Sequence, residues 1–195
     1  MDFKFITNWD WSSLITDEDE QKVKELISKS LGADALNNRL DEMSPVNYTT
    51  FNQGDFLHSR YEKNLSIIKL FQSFSTSCHL HWRENVNIQE FFSMGCMTNK
   101  YSNPKNHDES WHTHSNPVIK CITGVYLIDK PKKDDYFIEF QLKDKIEKVK
   151  IKPKRWYIWG GDIKHRASLC HTEDYRYVLS MELVTDIKHE NRARY

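Results

Sequence analysis

The pattern of apolar and polar positions divides the chain into a helical first part and a β-rich second part. Acidic residues crowd the start of residues 16–31, and apolar residues then recur at helical spacing. This pattern predicts a helix that begins at its capping residues and stops at Gly32. A second helix is expected over residues 62–75, and residues 47–56 between the two fit either a strand or a loop.

From residue 86 onward, short runs rich in β-branched and aromatic residues alternate with clusters of turn-forming residues. Such runs are typical of strands. Strands are expected over residues 86–94, 119–128, 136–142, 149–152, 156–159 and 177–184, with turns or loops at 103–106 and 129–135. Many short strands at this spacing favour a jelly roll or a barrel. The predicted fold class is therefore mostly β, with the N-terminal helices packed on one outer face.

No segment rich in glycine, proline and serine divides the chain, so its 195 residues are expected to form one domain: a helical portion at 1–85, a β core at 86–185 and a tail at 186–195. The 28 basic and 28 acidic side chains cancel, which favours neither a nucleic-acid partner nor an anionic membrane. No signal peptide is visible, and no apolar run approaches the ~20 residues of a membrane span. Four cysteines occur singly, and together these features favour a cytoplasmic protein with reduced thiols.

His112 and His114 are the first candidates for chemistry. Side chains at i and i+2 of an extended segment point the same way, so both imidazoles can hold one ion. His165 follows a turn after the strand expected at 156–159 and can close the site, and an open three-ligand metal centre supports redox and hydrolytic chemistry. Arg176 lies inside an apolar strand, which predicts an inward guanidinium bound to a planar anion.

About half of the chain, residues 88–184, resembles the Fe(II)/2-oxoglutarate-dependent oxygenases, in particular the prolyl-hydroxylase-like group and its relatives with a His-x-His pair. Ten residues separate the distal histidine from the arginine, a spacing common in this superfamily. The resemblance is carried by the pair His112 and His114, the strand at 121–127, the strand and turn at 152–162, His165, and Arg176.

The resemblance implies a double-stranded β-helix core with Fe(II) bound by His112, His114 and His165. The departure from the usual pattern is His114, because a carboxylate ordinarily takes its place. A three-histidine site lacks that negative charge. The alternative is that His114 lies behind the ligands and that Asp108 or Glu109 supplies the carboxylate.

The resemblance also implies 2-oxoglutarate as cosubstrate, with its far carboxylate bound by Arg176 and Ser180, which share one strand face, and a hydrogen bond from Tyr101. It implies a dioxygenase that uses O2 to hydroxylate a peptidyl or small-molecule substrate and releases succinate and carbon dioxide. The loops at 103–110 and 129–135 are expected to shape the entrance.

Two other functions fit the same pattern of residues. A cupin shares the architecture and a three-histidine site, but its motif places a glutamate a few residues after His-x-His, where this chain has none in residues 115–118. A cupin also has no need of Arg176. The third function is a metal-free binding domain on the same barrel, which would keep the aromatic core and bind no iron.

Overall fold

The computed structural model describes residues 6–36, 48–49, 64–82, 90–100, 106–115, 119–143 and 145–187. Its helices are α1 (Asp17–Leu36), α2 (Leu65–Trp82) and a short 3₁₀ helix (His107–Ser110). Its strands are β1 (Ile6–Asp10), β2 (Tyr48–Thr49), β3 (Glu90–Thr98), β4 (Ile119–Asp129), β5 (Phe137–Leu142), β6 (Lys145–Lys150), β7 (Arg155–Gly160), β8 (His165–Ala167) and β9 (Arg176–Ile187). The predicted β-rich class with few helices is confirmed.

Helix α1 begins where the acidic residues predict it. Asp19 accepts hydrogen bonds from the N–H and the hydroxyl of Thr16 at 3.0 and 2.9 Å, and the Thr16 hydroxyl accepts from the N–H of Asp19 at 3.2 Å. These reciprocal bonds satisfy N–H groups of the first turn. The helix then continues through Gly32 to Leu36, so the predicted stop at Gly32 is wrong. A glycine inside a helix costs only about 1 kcal/mol relative to alanine, and the alanines and leucine that follow favour the helix.

Helix α2 begins after Asn64, whose side chain accepts from two backbone N–H groups of the first turn, at 3.0 and 3.3 Å. It extends well beyond the predicted end at residue 75. The buried hydroxyls of Ser73 and Ser77 donate to carbonyls one turn earlier at 2.7 and 2.8 Å, which satisfies them inside the helix. The predicted start at residue 62 lies outside the described residues.

The strands form two antiparallel sheets. The larger has the order β1-β7-β4-β9-β3-β2 and the smaller has the order β6-β5-β8. Strands β4 and β9 are paired along almost their whole length at the centre of the larger sheet. This arrangement sets the position of the site, because β8 begins with His165 and β9 carries both Arg176 and Ser180.

Three layers result from the way the two sheets and the helices pack. Helices α1 and α2 cover the outer face of the larger sheet, where Trp156 contacts the rings of Phe74 and Tyr126 at centroid distances of 4.8 and 5.3 Å. The smaller sheet covers the inner face. The buried apolar residues between the sheets are Val125, Leu127, Tyr136, Ile138, Phe140, Ile151, Tyr157, Trp159 and Val178. Neighbouring residues of β4 and β7 therefore alternate between the helical layer and the space between the sheets.

Several strands differ from the predicted ones. Strand β3 extends to Thr98, past the predicted end at residue 94, and β6 covers Lys145–Lys150 where residues 149–152 were expected. The exposed lysines of β6 hide its alternation, and charged residues are typical of a sheet edge. Strands β1, β2 and β8 have only two to five residues, too few for a clear pattern. None of the helices in the described ranges is long and apolar enough to cross a bilayer.

Candidate metal centre

His112 and His165 lie directly opposite each other in an antiparallel bridge. The N–H of each donates to the carbonyl of the other at 3.0 Å. On its other side, His165 pairs with Phe140 of β5, so the bridge is attached to the smaller sheet. Side chains of directly opposed residues lie on the same face, and the two imidazole rings have centroids 4.4 Å apart.

His114 is held in place by the turn after β7. The carbonyl of Gly161 accepts from the N–H of His114 at 2.7 Å and from that of Ser115 at 2.8 Å. A side chain at position 161 would collide with the sulfur of Cys121 and lie 2.7 Å from the hydroxyl of Ser115. Position 161 therefore requires glycine, because the turn after β7 packs closely against Cys121 and Ser115. This close packing places His114 next to His165.

The three imidazoles form one cluster. Their candidate ligand atoms all lie within 4.8 Å of one another, and His165 is buried, His114 half-buried and His112 exposed. The Nε2 atoms of His114 and His165 are 3.2 Å apart. Two nitrogens that each lie about 2.1 Å from one ion are separated by about 3 Å. The spacing between His114 and His165 is therefore the one that a shared ion needs.

The opposite nitrogen of each ring is occupied by a hydrogen-bond partner. Nδ1 of His112 lies 2.8 Å from the carbonyl of Ser110, and Nδ1 of His165 lies 2.8 Å from that of Ile163. The indole nitrogen of Trp159 lies farther from Nδ1 of His165, at 3.3 Å, so the shorter contact with the Ile163 carbonyl decides the tautomer. Nδ1 of His114 contacts the carboxylate of Glu182 on β9. Such partners fix the tautomer and the orientation of a ligating imidazole, so each ring presents Nε2 to the cluster.

The donor chemistry also fits a metal ion. Burial, and next the neighbouring His112, lowers the pKa of His165 to about 3. The His165 ring is therefore neutral at pH 7 and keeps a nitrogen lone pair for a ligand bond. Trp159 packs edge-on against this ring with centroids 4.8 Å apart and screens it from solvent.

A cavity of about 170 Å³ between the sheets connects the cluster to the other predicted site residues. Arg176 and Ser180 both line it, as their common strand face predicts. Its walls are otherwise mostly apolar and aromatic, with Val125, Tyr136, Ile138, Trp159, Leu169 and Val178 among the lining residues. A concave, mostly apolar site with a few convergent polar groups is typical of small-molecule binding.

Arg176 is buried, as predicted, but the planar anion that it binds is a side chain of the same protein, Asp134. Its Nε and Nη2 donate to the two carboxylate oxygens of Asp134 at 2.7 and 2.8 Å. Nη1 donates to the carbonyl of Ser168 at 2.9 Å and Nη2 also donates to that of Leu169 at 3.2 Å. Since a guanidinium has only one more N–H than these four bonds use, one N–H of Nη1 forms no hydrogen bond with the described residues and is left for a ligand.

Tyr136 completes this end of the cavity. Its ring lies under the guanidinium, with the central carbon of Arg176 4.1 Å from the ring centroid. Tyr136 is only 3% exposed, and burial raises the pKa of its hydroxyl. Among the described residues no group forms a hydrogen bond with this hydroxyl. A buried hydroxyl normally has a hydrogen-bond partner, so Tyr136 has a donor to offer a bound molecule.

The alternative carboxylate ligands do not face the cluster. Asp108 pairs with Arg166 at 2.6 Å, and Glu109 accepts from the side chain of Asn106 at 2.9 Å. The guanidinium of Arg166 also stacks on Trp111, 4.5 Å from the ring centroid. These contacts hold the 3₁₀ helix beside the cluster, and two of its residues, His107 and Ser110, line the cavity. Tyr101 lies outside the described residues.

No protein-family model matches the sequence, and no curated protein is similar to it in sequence. Several solved structures are similar in fold. One is EvdO2 from Micromonospora carbonacea var. aurantiaca complexed with 2-oxoglutarate, with 9% identity over 69% of this chain and 65% of EvdO2, at a TM-score of 0.51. This chain thus spans slightly less than two thirds of EvdO2.

The non-haem monooxygenase ThoJ, in a nickel complex, has 8% identity over 92% of this chain and 73% of ThoJ, at a TM-score of 0.52. A prolyl 4-hydroxylase from Phytophthora capsici has 12% identity over 98% of this chain and 75% of that chain, also at 0.52. The chain therefore shares its fold with EvdO2, ThoJ and this prolyl 4-hydroxylase. At these identities the likeness is one of fold, and the chemistry has to be argued from the side chains.

Three site residues were missed by the sequence-based reasoning. Glu182 follows Ser180 at the period-two spacing that already links Ser180 to Arg176 on β9, so alternation along this strand was a signal for it. Asp134 lies in a charged loop segment and Tyr136 at the start of a predicted strand. Their contacts with Arg176 form between distant segments, and no local pattern indicates them.

Proposed function

We propose that this protein is a non-haem Fe(II)- and 2-oxoglutarate-dependent dioxygenase that hydroxylates a peptidyl or small-molecule substrate. The observation that carries the proposal is that His112, His114 and His165 share one cavity with Arg176 and Ser180. The same fold in EvdO2 accommodates 2-oxoglutarate. We further infer that the two facing antiparallel sheets form a double-stranded β-helix, with the site between them.

In this proposal, the Nε2 atoms of His112, His114 and His165 hold the iron. Iron with bound 2-oxoglutarate would supply the oxidising chemistry, in which 2-oxoglutarate, O2 and a C–H bond of the substrate give succinate, carbon dioxide and the hydroxylated substrate. The chain's own residues bind and orient the reactants and keep bulk water away. Trp159 and the apolar walls exclude water, because they line the cavity next to the buried ring of His165. No side chain has to act as a general base.

The far carboxylate of 2-oxoglutarate is proposed to bind at the Arg176 end of the cavity. Two donors are available at that end, the remaining N–H of Arg176 and the buried hydroxyl of Tyr136. The hydroxyl of Ser180 also lines it; this hydroxyl donates to the carbonyl of Gly124 at 3.4 Å and would have to turn to the ligand. Charge-assisted hydrogen bonds to a carboxylate are among the stronger polar interactions. The Asp134 carboxylate already neutralises the guanidinium, so 2-oxoglutarate has to share Arg176 with Asp134 or displace it.

The substrate is proposed to approach past the 3₁₀ helix (His107–Ser110), which borders the cavity with His107 and Ser110. Its polar and charged residues suit a polar substrate, and both peptidyl and small-molecule hydroxyl acceptors fit that description. The four cysteines are free thiols, which is compatible with a reducing compartment such as the cytoplasm.

Succinate release tests the proposal. Purified protein with Fe(II), O2 and 2-oxoglutarate is expected to form succinate slowly without substrate and faster when a library of peptides and amino acids contains the substrate. The matched pair of variants is His165→Ala, which removes a cluster imidazole, and His171→Ala, which removes an exposed one. Succinate formation that survives His165→Ala, or that is absent from the iron-loaded wild-type protein with every candidate substrate, would contradict the proposal.

A further inference from the structure

The three-histidine cluster has a carboxylate directly behind it. Glu182 on β9 contacts Nδ1 of His114, with side-chain exposures of 25% for the glutamate and 16% for the histidine. Glu182 pairs in register with the buried Thr123 of β4, near the centre of the larger sheet. The carboxylate is therefore attached to the most extensively paired part of the fold.

The partners of the other two rings are different. His112 and His165 each have a backbone carbonyl at Nδ1, which is a neutral acceptor. Among the described residues, only His114 has a charged partner there. A carboxylate that accepts from Nδ1 raises the basicity of the imidazole and fixes Nε2 toward the metal. His114 is thus distinguished electrostatically from the two other candidate ligands.

We propose that Glu182 is a positioning residue that supplies, through the His114 ring, the negative charge that a directly bound carboxylate gives a two-histidine, one-carboxylate iron site. This inference rests on the proposed function, since it concerns the same metal. His114 and Glu182 then act as one unit: the imidazole forms the metal bond, and the carboxylate sets its orientation and its donor strength. The unit has the net charge of a carboxylate ligand.

The test is the affinity of the metal-free protein for Co(II) and, under anaerobic conditions, for Fe(II), measured by competition with a chromophoric chelator. Glu182→Gln keeps the shape of the side chain and an acceptor oxygen but removes the charge. We expect it to lower the affinity for both metals by about 10- to 100-fold. Glu182→Asp, which keeps the charge, is expected to recover part of this loss. The visible spectrum of the Co(II) protein should shift in Glu182→Gln, since the His114 ligand has changed.

Two comparisons separate this role from a structural one. Glu18→Gln makes the same chemical change at an exposed ion pair with Lys22 on α1, and it should leave metal affinity unchanged. In a His114→Ala background, Glu182→Gln should have no further effect, because Glu182 acts through His114.

The outcomes also separate this inference from the proposed function. A wild-type protein that binds neither metal contradicts the proposed function itself. A wild-type protein that binds both, with Glu182→Gln within twofold of it, overturns the role of Glu182 alone. An equal effect of Glu182→Gln with and without His114 would likewise overturn that role.

Discussion

Arg176 and Asp134 form a bidentate ion pair, with Nε–Oδ2 and Nη2–Oδ1 distances of 2.7 and 2.8 Å, and their side chains are 2% and 1% exposed. This pair determines which ligands the Arg176 end of the cavity can bind. A lone guanidinium would offer a full positive charge to a dicarboxylate. Here the net charge of the pair is zero, and the ligand competes with Asp134 for Arg176.

Arg176→Ala is expected to weaken 2-oxoglutarate binding on the order of 100-fold, because it removes a buried partner of the carboxylate. Iron affinity should change far less, since the cluster binds through the histidines. Isothermal titration of the metal-loaded protein, with a separate metal titration, measures both. Arg176→Ala also leaves Asp134 unpaired, so Arg176→Ala with Asp134→Asn serves as the control: it should recover stability without recovering 2-oxoglutarate binding. Equal losses for metal and cosubstrate would count against the assigned role.

Asp134→Asn is expected to destabilise the ligand-free protein by about 3–5 kcal/mol, because it leaves the buried guanidinium without a compensating charge. It should also bind 2-oxoglutarate more tightly than the wild type, since the competing carboxylate is gone. Denaturant unfolding with and without 2-oxoglutarate tests both statements, because a ligand stabilises the state it binds. Weaker 2-oxoglutarate binding would instead mean that Asp134 orients Arg176 for the ligand.

Tyr136→Phe is expected to weaken 2-oxoglutarate binding by about 1.5–3 kcal/mol, the range for a hydrogen bond to a charged group. Its effect on the unliganded protein should be small, because the hydroxyl has no hydrogen-bond partner among the described residues. The matched control is Tyr157→Phe, in the same layer, whose hydroxyl accepts from the N–H of Lys152 at 3.0 Å. Tyr157→Phe should cost stability and leave the 2-oxoglutarate dissociation constant unchanged. Indistinguishable behaviour of the two variants would exclude Tyr136 from the ligand site.

Gly161→Ala is expected to destabilise the fold by about 1–3 kcal/mol, the usual cost of overpacking, because the new methyl group collides with Cys121 and Ser115. It should also lower metal affinity, since the Gly161 carbonyl holds the backbone of His114. Urea denaturation and a Co(II) titration measure the two effects. Asp162→Ala, at the exposed neighbouring position, is the control for the turn. Unchanged metal affinity in Gly161→Ala would show that the backbone bond does not position His114.

Much of the site was accessible from the sequence because its signals are local. His112 and His114 are separated by one residue, His165 follows a short turn, and Arg176 lies within an apolar strand. The six strands that were expected have counterparts in β3, β4, β5, β6, β7 and β9, although several bounds differ. The assignment of iron and 2-oxoglutarate to these residues remains a prediction.

The parts that could not be predicted depend on contacts between distant segments. Nothing in residues 129–135 indicates that Asp134 is buried against Arg176, forty-two positions away. The helix ends were predicted wrongly for a similar reason. The hydroxyl of Ser77 in α2 donates to the carbonyl of Ser73 in the same helix, and it also accepts from the Trp11 indole at 2.9 Å. Such tertiary contacts override the local preference of serine for helix ends.

The most direct test of the central claim is an anaerobic absorption measurement on metal-stripped protein titrated with Fe(II) and then with 2-oxoglutarate. The account predicts a weak visible band that appears only when both are present. The band should be lost in His165→Ala, and at the same 2-oxoglutarate concentration in Arg176→Ala. Absence of the band from a wild-type protein that binds iron tightly would contradict the account and favour a cupin-type metalloprotein. A protein that binds no metal at all would favour a binding domain on the same fold.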